Sequence, residues 1–202
     1  TRIENAAIGR APAPSRGNAR QRIVESSYPL FASRGVRDVS IDEVIEASEV
    51  AKATLYRYFP SKDDLVLAFL AHREQVWTFG TVEAGARARA TTPEEALLAI
   101  FDVFDDWFQR DDFEACSFIN VMLELGTSHP VGKASGEYLA NIRTMVEQLA
   151  TEAGIPRPAE FALSWHILMK GSIVQASEGD RQSAKRARSM ARALIQQFRN
   201  AG

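Results

Sequence analysis

The 202-residue sequence predicts an all-α protein. Three observations carry that expectation. Apolar residues recur at i, i+3 and i+4 along most of the chain, capping residues open several of those runs, and no stretch alternates apolar with polar residues as a strand would. The composition is that of an ordinary globular chain, 46% hydrophobic and 25% charged, which excludes a disordered tract or a fibrous repeat. No window approaches the roughly 18 continuous apolar residues of a membrane span, and no apolar signal segment opens the chain. Cys116, the single cysteine, has no partner for an internal disulfide. A cytoplasmic setting without membrane association is therefore expected.

In chain order, Thr1–Gly17 carries three Arg, two Pro and two Gly without an apolar period, and is expected to be a flexible basic arm. Asn18–Ser33 reads as the first helix, with Ile23, Ser27, Leu30 and Phe31 at helical spacing and Gly35 as its stop. Pro29 falls inside this pattern, where it removes a hydrogen bond and predicts a kink. Val39 precedes Ser40, which with Glu43 forms a capping box for the next helix, its apolar side drawn from Val44, Ile45 and Ala47.

A corner at Ser48-Glu49-Val50 leads to a short helix over about Ala51–Phe59. Leu55 and Phe59 are its inward anchors, while Lys52, Thr54, Tyr56, Arg57 and Tyr58 are left to face outward. Pro60 ends it, and Ser61-Lys62-Asp63-Asp64 opens a long helix through Leu65, Phe69, Val76 and Trp77, ending near Gly80 or later. Two short helices meeting at a corner, the second presenting donors and aromatic rings, have the form of a helix-turn-helix DNA reader.

The remaining chain continues in helices. Thr92-Pro93-Glu94-Glu95 caps a run with Ala96, Leu97, Ile100, Phe101, Phe104, Trp107 and Phe108 inward. Further helices are expected over about Phe113–Leu125, Val131–Ala153, a segment ending near Ala176, and Arg181–Asn200.

Charge supports the same division of labour. Residues 1–62 hold ten Lys/Arg against seven Asp/Glu, and residues 63–202 hold fourteen against nineteen. A mildly basic head on an acidic body reconciles DNA binding with a net charge of −2.

The run T-L-Y-R-Y-F-P-S-K-D-D-L, Thr54–Leu65, closely resembles the signature of TetR-family transcriptional regulators, the likeness covering about Asn18 to Trp77. That resemblance implies a helix-turn-helix domain over residues 18–78, joined by a long helix to a helical ligand-binding and dimerisation domain over residues 79–202. It implies a homodimer that reads a palindromic operator in double-stranded DNA and a repressor type released by a small effector, and the lack of any catalytic motif around His72, His129 or His166 adds the expectation of no enzymatic activity. Positions matching Thr54, Tyr56, Arg57, Tyr58 and Lys62 contact DNA in the family.

The residues themselves suit those jobs. Thr54 reaches a phosphate or a thymine methyl, Arg57 is shaped to read guanine, and the tyrosines pack on the backbone while donating to phosphate. Ser40 and Lys62 stand at helix N-termini that favour phosphate, and Lys52 adds charge. Arg10, Arg16 and Arg20 are basic side chains for the DNA backbone or minor groove. Glu49 stands where many relatives carry Gly, and Ala51 where they carry Ser. The pair predicts a strained corner, a missing cap and a weaker head.

In the body, Phe101, Phe104, Trp107, Phe108, Phe118, Met122, Trp165, His166 and Met169 make a candidate pocket for a mostly apolar ligand, with Asn120, Glu124 and His166 as polar handles. Small residues among large apolar ones (Ala162, Gly171, Ser172, Ala176, Ala184, Ala187 and Ala191) let the last two helices approach a neighbour closely, and the resemblance implies that they pair across a two-fold axis. No metal, nucleotide or nucleophile motif is present, so no cofactor is expected and no catalytic residue is assigned. A helical ligand carrier without operator binding is the alternative reading.

Overall fold

The computed structural model describes residues 18–201, and the expected basic arm, with Arg10 and Arg16, lies outside them. The described residues hold helices and no strand, in the order α1 (Ala19–Arg34), α2 (Ile41–Ser48), α3 (Lys52–Tyr58), α4 (Lys62–Arg73), a π-helical stretch (Glu74–Glu83), α5 (Ala84–Ala88), α6 (Pro93–Phe108), α7 (Ser117–Leu125), α8 (Pro130–Glu152), α9 (Pro158–Ser177) and α10 (Ser183–Asn200). None of these helices is long and apolar enough to cross a membrane. The chain packs as two units, one running up to Val76 with Cys116–Tyr138 added, the other formed by Trp77–Ala115 and the chain from Leu139 onward.

In the first unit, α1 starts on the Asn18 side chain, which accepts the Gln21 N–H at 3.0 Å, and stops at Gly35 with φ 85°. The helix passes through Pro29 and buries Ile23, Val24, Tyr28 and Phe31. Against this face α4 lays Leu65, Val66, Phe69 and Leu70, and the Tyr28 and Phe69 rings meet edge-on at 5.5 Å. Burying side chains of this size is worth about 1.5–3 kcal/mol each, so this seam is what holds the head together. Charged side chains are buried with it, Glu25 on α1 and Arg73 on α4. The Arg73 guanidinium donates to the Tyr28 hydroxyl and is cut off from solvent.

Within the same unit, α7 and the start of α8 form a tight pair. The Ser135 hydroxyl donates to the Phe118 carbonyl at 2.8 Å, and the Phe118 and Tyr138 rings stack at 5.3 Å. A Cβ on Gly132 would lie 2.0 Å from the Gly126 carbonyl oxygen, so this approach exists only because residue 132 has no side chain.

The second unit is built around α6. Its apolar side (Leu97, Ile100, Phe101, Phe104, Trp107, Phe108) is buried, and both α10 and α9 pack against it. Ion pairs follow the α6–α10 seam, Arg199 to Glu94 at 2.6 Å, Arg188 to Asp102 at 2.9 Å and Lys185 to Asp105 at 3.5 Å. Such exposed pairs contribute little beside the buried rings and fix register more than stability. Between α9 and α10, the Ser183 hydroxyl donates to the Ser172 carbonyl at 2.8 Å.

Expectation and structure differ in a few places. The single helix expected after Ser61 changes to π geometry at Glu74 and then continues as α5 to Ala88, beyond Gly80. Helix α7 begins at Ser117 rather than Phe113, because Phe113 is drawn against the Trp107 and Phe108 rings at 4.9 and 5.2 Å. On α2, Ala47 is exposed and Ser48 is buried, its hydroxyl donating to the Val44 carbonyl at 2.6 Å.

Candidate nucleic-acid interface

Helix α2 begins with both arms of a capping box. The Glu43 N–H donates to the Ser40 hydroxyl at 3.2 Å, and the Ser40 N–H donates to the Glu43 carboxylate at 2.7 Å. Arg34 closes on the same carboxylate at 2.5 Å. The Ser40 backbone N–H, the Arg34 guanidinium and the Ser40 hydroxyl together hold the Glu43 carboxyl down to about 2.

The corner behind α2 is made by Glu49 in the left-handed conformation, φ 52° and ψ 43°, the strain that a non-glycine residue at this position implies. Its N–H reaches back to the Ile45 and Glu46 carbonyls and finishes the helix. Ala51 then occupies the N-cap of α3 and supplies no side-chain cap.

Helix α3 is seven residues long and would not persist alone. Leu55, at 0% exposure, and Phe59, at 2%, pin it to the head. With those two inward, Lys52, Tyr56, Arg57 and Tyr58 are exposed and Thr54 is half-buried. Tyr56 is 42% and Tyr58 36% exposed, unusual for aromatic rings and suited to a surface that a partner covers. The Arg57 guanidinium lies 5.0 Å from the Tyr58 ring centre, and that of Arg20 lies 5.3 Å from Phe59. Lys52 Nζ is 3.2 Å from an Asp42 carboxylate oxygen. At the end of the motif, Ser61 and Asp64 form a second capping box, which leaves Lys62 half-buried at the first position of α4.

Lys52, Thr54, Tyr56, Arg57 and Tyr58 thus share one short helix, with Lys62 just beyond it. Ser40 differs from the rest. Its N–H and hydroxyl already face a carboxylate, so a phosphate arriving there meets an occupied position.

The nine residues singled out in the body divide between the units. Phe101, Phe104, Trp107, Phe108, Trp165, His166 and Met169 are all buried in the second. The Phe101 and Trp165 rings lie 5.4 Å apart, and Trp107 sits 4.2 Å from Trp77. The Trp165 indole N–H and the Thr78 hydroxyl are enclosed there without a hydrogen-bond partner. Burial pushes His166 down to about 3, with the positive charges of Lys170 and Arg143 adding to the effect. Phe118 and Met122 belong to the first unit on α7, as do Asn120 and Glu124. The Glu124 carboxylate is not a free polar handle, since it accepts the Val36 N–H at 3.0 Å and the Arg37 N–H at 2.5 Å. An open cleft of about 340 Å³ between α1 and α4, lined by Asn18, Gln21, Ala68 and His72 among others, touches none of the nine.

A capped helix, a left-handed corner and a short helix with an exposed basic and aromatic face define the helix-turn-helix class. The sequence model for bacterial regulatory proteins of the tetR family matches residues 23–69, which span α1 through most of α4. A helix-turn-helix transcriptional repressor of Rhodococcus jostii, KstR, is 32% identical over 46% of this chain and 42% of its own length. A helix-turn-helix regulator of Lactococcus lactis is 24% identical over 54% of this chain and 55% of its own. The chain thus spans about half the length of these curated relatives. The crystal structure of a TetR-family regulator from Streptomyces coelicolor superposes over 89% of this chain and 95% of that one, with a TM-score of 0.79 at 24% identity, and so shares the fold. Residues 23–69 thus match the tetR family of bacterial regulatory proteins, and over the rest of the chain the likeness to a solved TetR-family regulator is one of fold.

Proposed function

We propose that this chain is a homodimeric repressor that binds a palindromic DNA operator and is released from it by a small, mostly apolar ligand. The outward face of α3 carries the reading, because burial of Leu55 and Phe59 commits Thr54, Tyr56, Arg57 and Tyr58 to the opposite side. Arg57 is the residue for a guanine edge, while Tyr56, Tyr58, Thr54, Lys52 and Lys62 serve the phosphates on either side. Ser40 acts as the cap that orients α2. The name of the Rhodococcus jostii relative supports the repressor role.

Pairing through α9 and α10 has a physical basis on their outer surface. Leu163, Ile167, Gly171 and Val174 follow one another at i, i+4, i+8 and i+11 on α9, all exposed, and Met190 is exposed on α10. A glycine within an apolar stripe lets a second helix come close. For the effector, the buried rings of Phe101, Phe104, Trp107, Phe108 and Trp165 supply apolar contact, with Met169 beside them. The unpartnered Trp165 N–H is a donor awaiting an acceptor.

The test is a titration of the protein with duplex DNA from upstream of its own gene at several salt concentrations. A regulator loses affinity steeply as salt rises, whereas a ligand carrier shows no such binding.

A further inference from the structure

We infer that Glu124 is a positioning residue for the DNA reader, a role that rests on the function proposed above. Glu124 sits in the last turn of α7, outside the stretch that matches the family, and its two carboxylate oxygens are divided between two consecutive backbone amides. Oε2 accepts the Val36 N–H at 3.0 Å and Oε1 accepts the Arg37 N–H at 2.5 Å. A Cβ on Gly35 would lie 3.2 Å from Oε2, so the carboxylate fits into the space that glycine leaves. These three residues form the turn between α1 and α2. Two residues after them Val39 is fully buried, and the next residue, Ser40, caps α2. Direction is therefore set at both ends of the turn, by an anion gripping its amides and by Val36 and Val39 sunk into the head.

A second contact reaches the far flank of the same motif. His129, in the turn between α7 and α8, accepts the Val131 N–H on Nδ1 and turns Nε2 toward Asp63 at 3.6 Å. Asp63 is the second residue of α4, next to Lys62. One segment, remote in sequence, thus touches the chain just before α2 and just after α3. Of the two contacts the carboxylate is the stronger, because charge-assisted bonds to amides are short and roughly twice as strong as neutral ones.

Glu124→Gln makes the distinction. Glutamine keeps the shape and one acceptor, but turns an NH₂ donor toward the other N–H, so one amide loses its partner. The substitution also removes a negative charge from a DNA-binding unit, which on electrostatic grounds alone tightens DNA binding. A positioning role predicts the opposite sign.

The experiment measures backbone amide exchange in the DNA-free protein, then affinity for the upstream duplex at fixed salt, in wild type, Glu124→Gln and Glu46→Gln. Glu46 is an exposed acid on α2 and controls for charge. Expected for Glu124→Gln are faster exchange at Val36, Arg37 and the first turn of α2, unchanged protection in α6, and about fivefold weaker DNA binding. Glu46→Gln is expected to leave exchange unchanged and binding equal or tighter. Unchanged exchange at Val36 and Arg37 overturns the inference, as does DNA binding that strengthens in Glu124→Gln as it does in the control. Failure of the wild type to bind the duplex overturns the function proposed above, and the exchange arm still decides the role of Glu124 in fixing the turn.

Discussion

Lys52 Nζ lies 3.2 Å from an Asp42 carboxylate oxygen, so the lysine that opens α3 is already paired with the helix before it. The pair is well exposed on both sides and is worth little to stability. Under the proposed function, this pair competes with DNA for the same cation. Asp42→Asn should tighten binding to the upstream duplex about two- to threefold and leave the melting temperature almost unchanged. In a Lys52→Ala background the same substitution should do much less, which a double-mutant cycle measures directly.

Glu49 and Ala51 depart from the family pattern together, and each has a visible cost. Glu49 holds φ 52°, and Ala51 leaves the α3 N-terminus without a side-chain cap. Glu49→Gly should stabilise the head by about 1 kcal/mol through relief of the left-handed strain. Ala51→Ser should add about 1 kcal/mol through the cap. Denaturant unfolding should register both as a higher midpoint with an unchanged slope, and the double variant should bind the operator more tightly.

Acid should weaken the protein in two stages. His166 is held down to about 3 by burial, so between pH 6.5 and 3 the unfolded chain takes up a proton there that the folded chain refuses. Stability is full above 6.5 and falls as pH drops, by at most about 1.4 kcal/mol per pH unit for one proton. Glu43 joins below its ordinary value of 4.5, because its folded carboxyl resists protonation until about 2. Its contribution is present above 4.5 and lost as pH falls through 2. Unfolding curves from pH 7 to 5 should flatten in His166→Gln and keep their slope in Glu43→Gln.

The outer stripe of α9 predicts the state of association. Ile167 is 70% and Leu163 57% exposed in the single chain. Ile167→Asp should give a folded monomer by light scattering and weaken binding to a two-half-site duplex at least tenfold, while a single half-site is bound as before. An unchanged dimer would rule this face out.

Much of the head was legible because its signals are local. Ser40 with Glu43, Ser61, the Leu55–Phe59 pair and the strain at Glu49 each depend on neighbours a few residues away. The body was harder to read. Small residues on α9 and α10 suggest a surface for a second chain, yet Ala162, Ser172, Ala176, Ala184, Ala187 and Ala191 are buried within this one. Small size marks close approach, but sequence does not say to which helix. Glu124 shows the same limit, since a carboxylate in an apolar run looks like a ligand handle until its partners, 87 and 88 residues away, are seen. Phe118 and Met122 share the apolar spacing of the body, but α7 packs with the head unit.

The contact between Gly132 and the Gly126 carbonyl predicts how the chain answers to saturation mutagenesis. Position 132 should tolerate none of the nineteen alternatives, with alanine almost as harmful as tryptophan, because the first carbon added already overlaps an oxygen. Gly136, one turn later on α8, has nothing within 4 Å of its missing Cβ and should accept most side chains. Such a site scores like a catalytic residue in a fitness map although no chemistry passes through it. Its intolerance is volumetric, and it propagates two residues back along the chain to the spot from which Glu124 must reach the head.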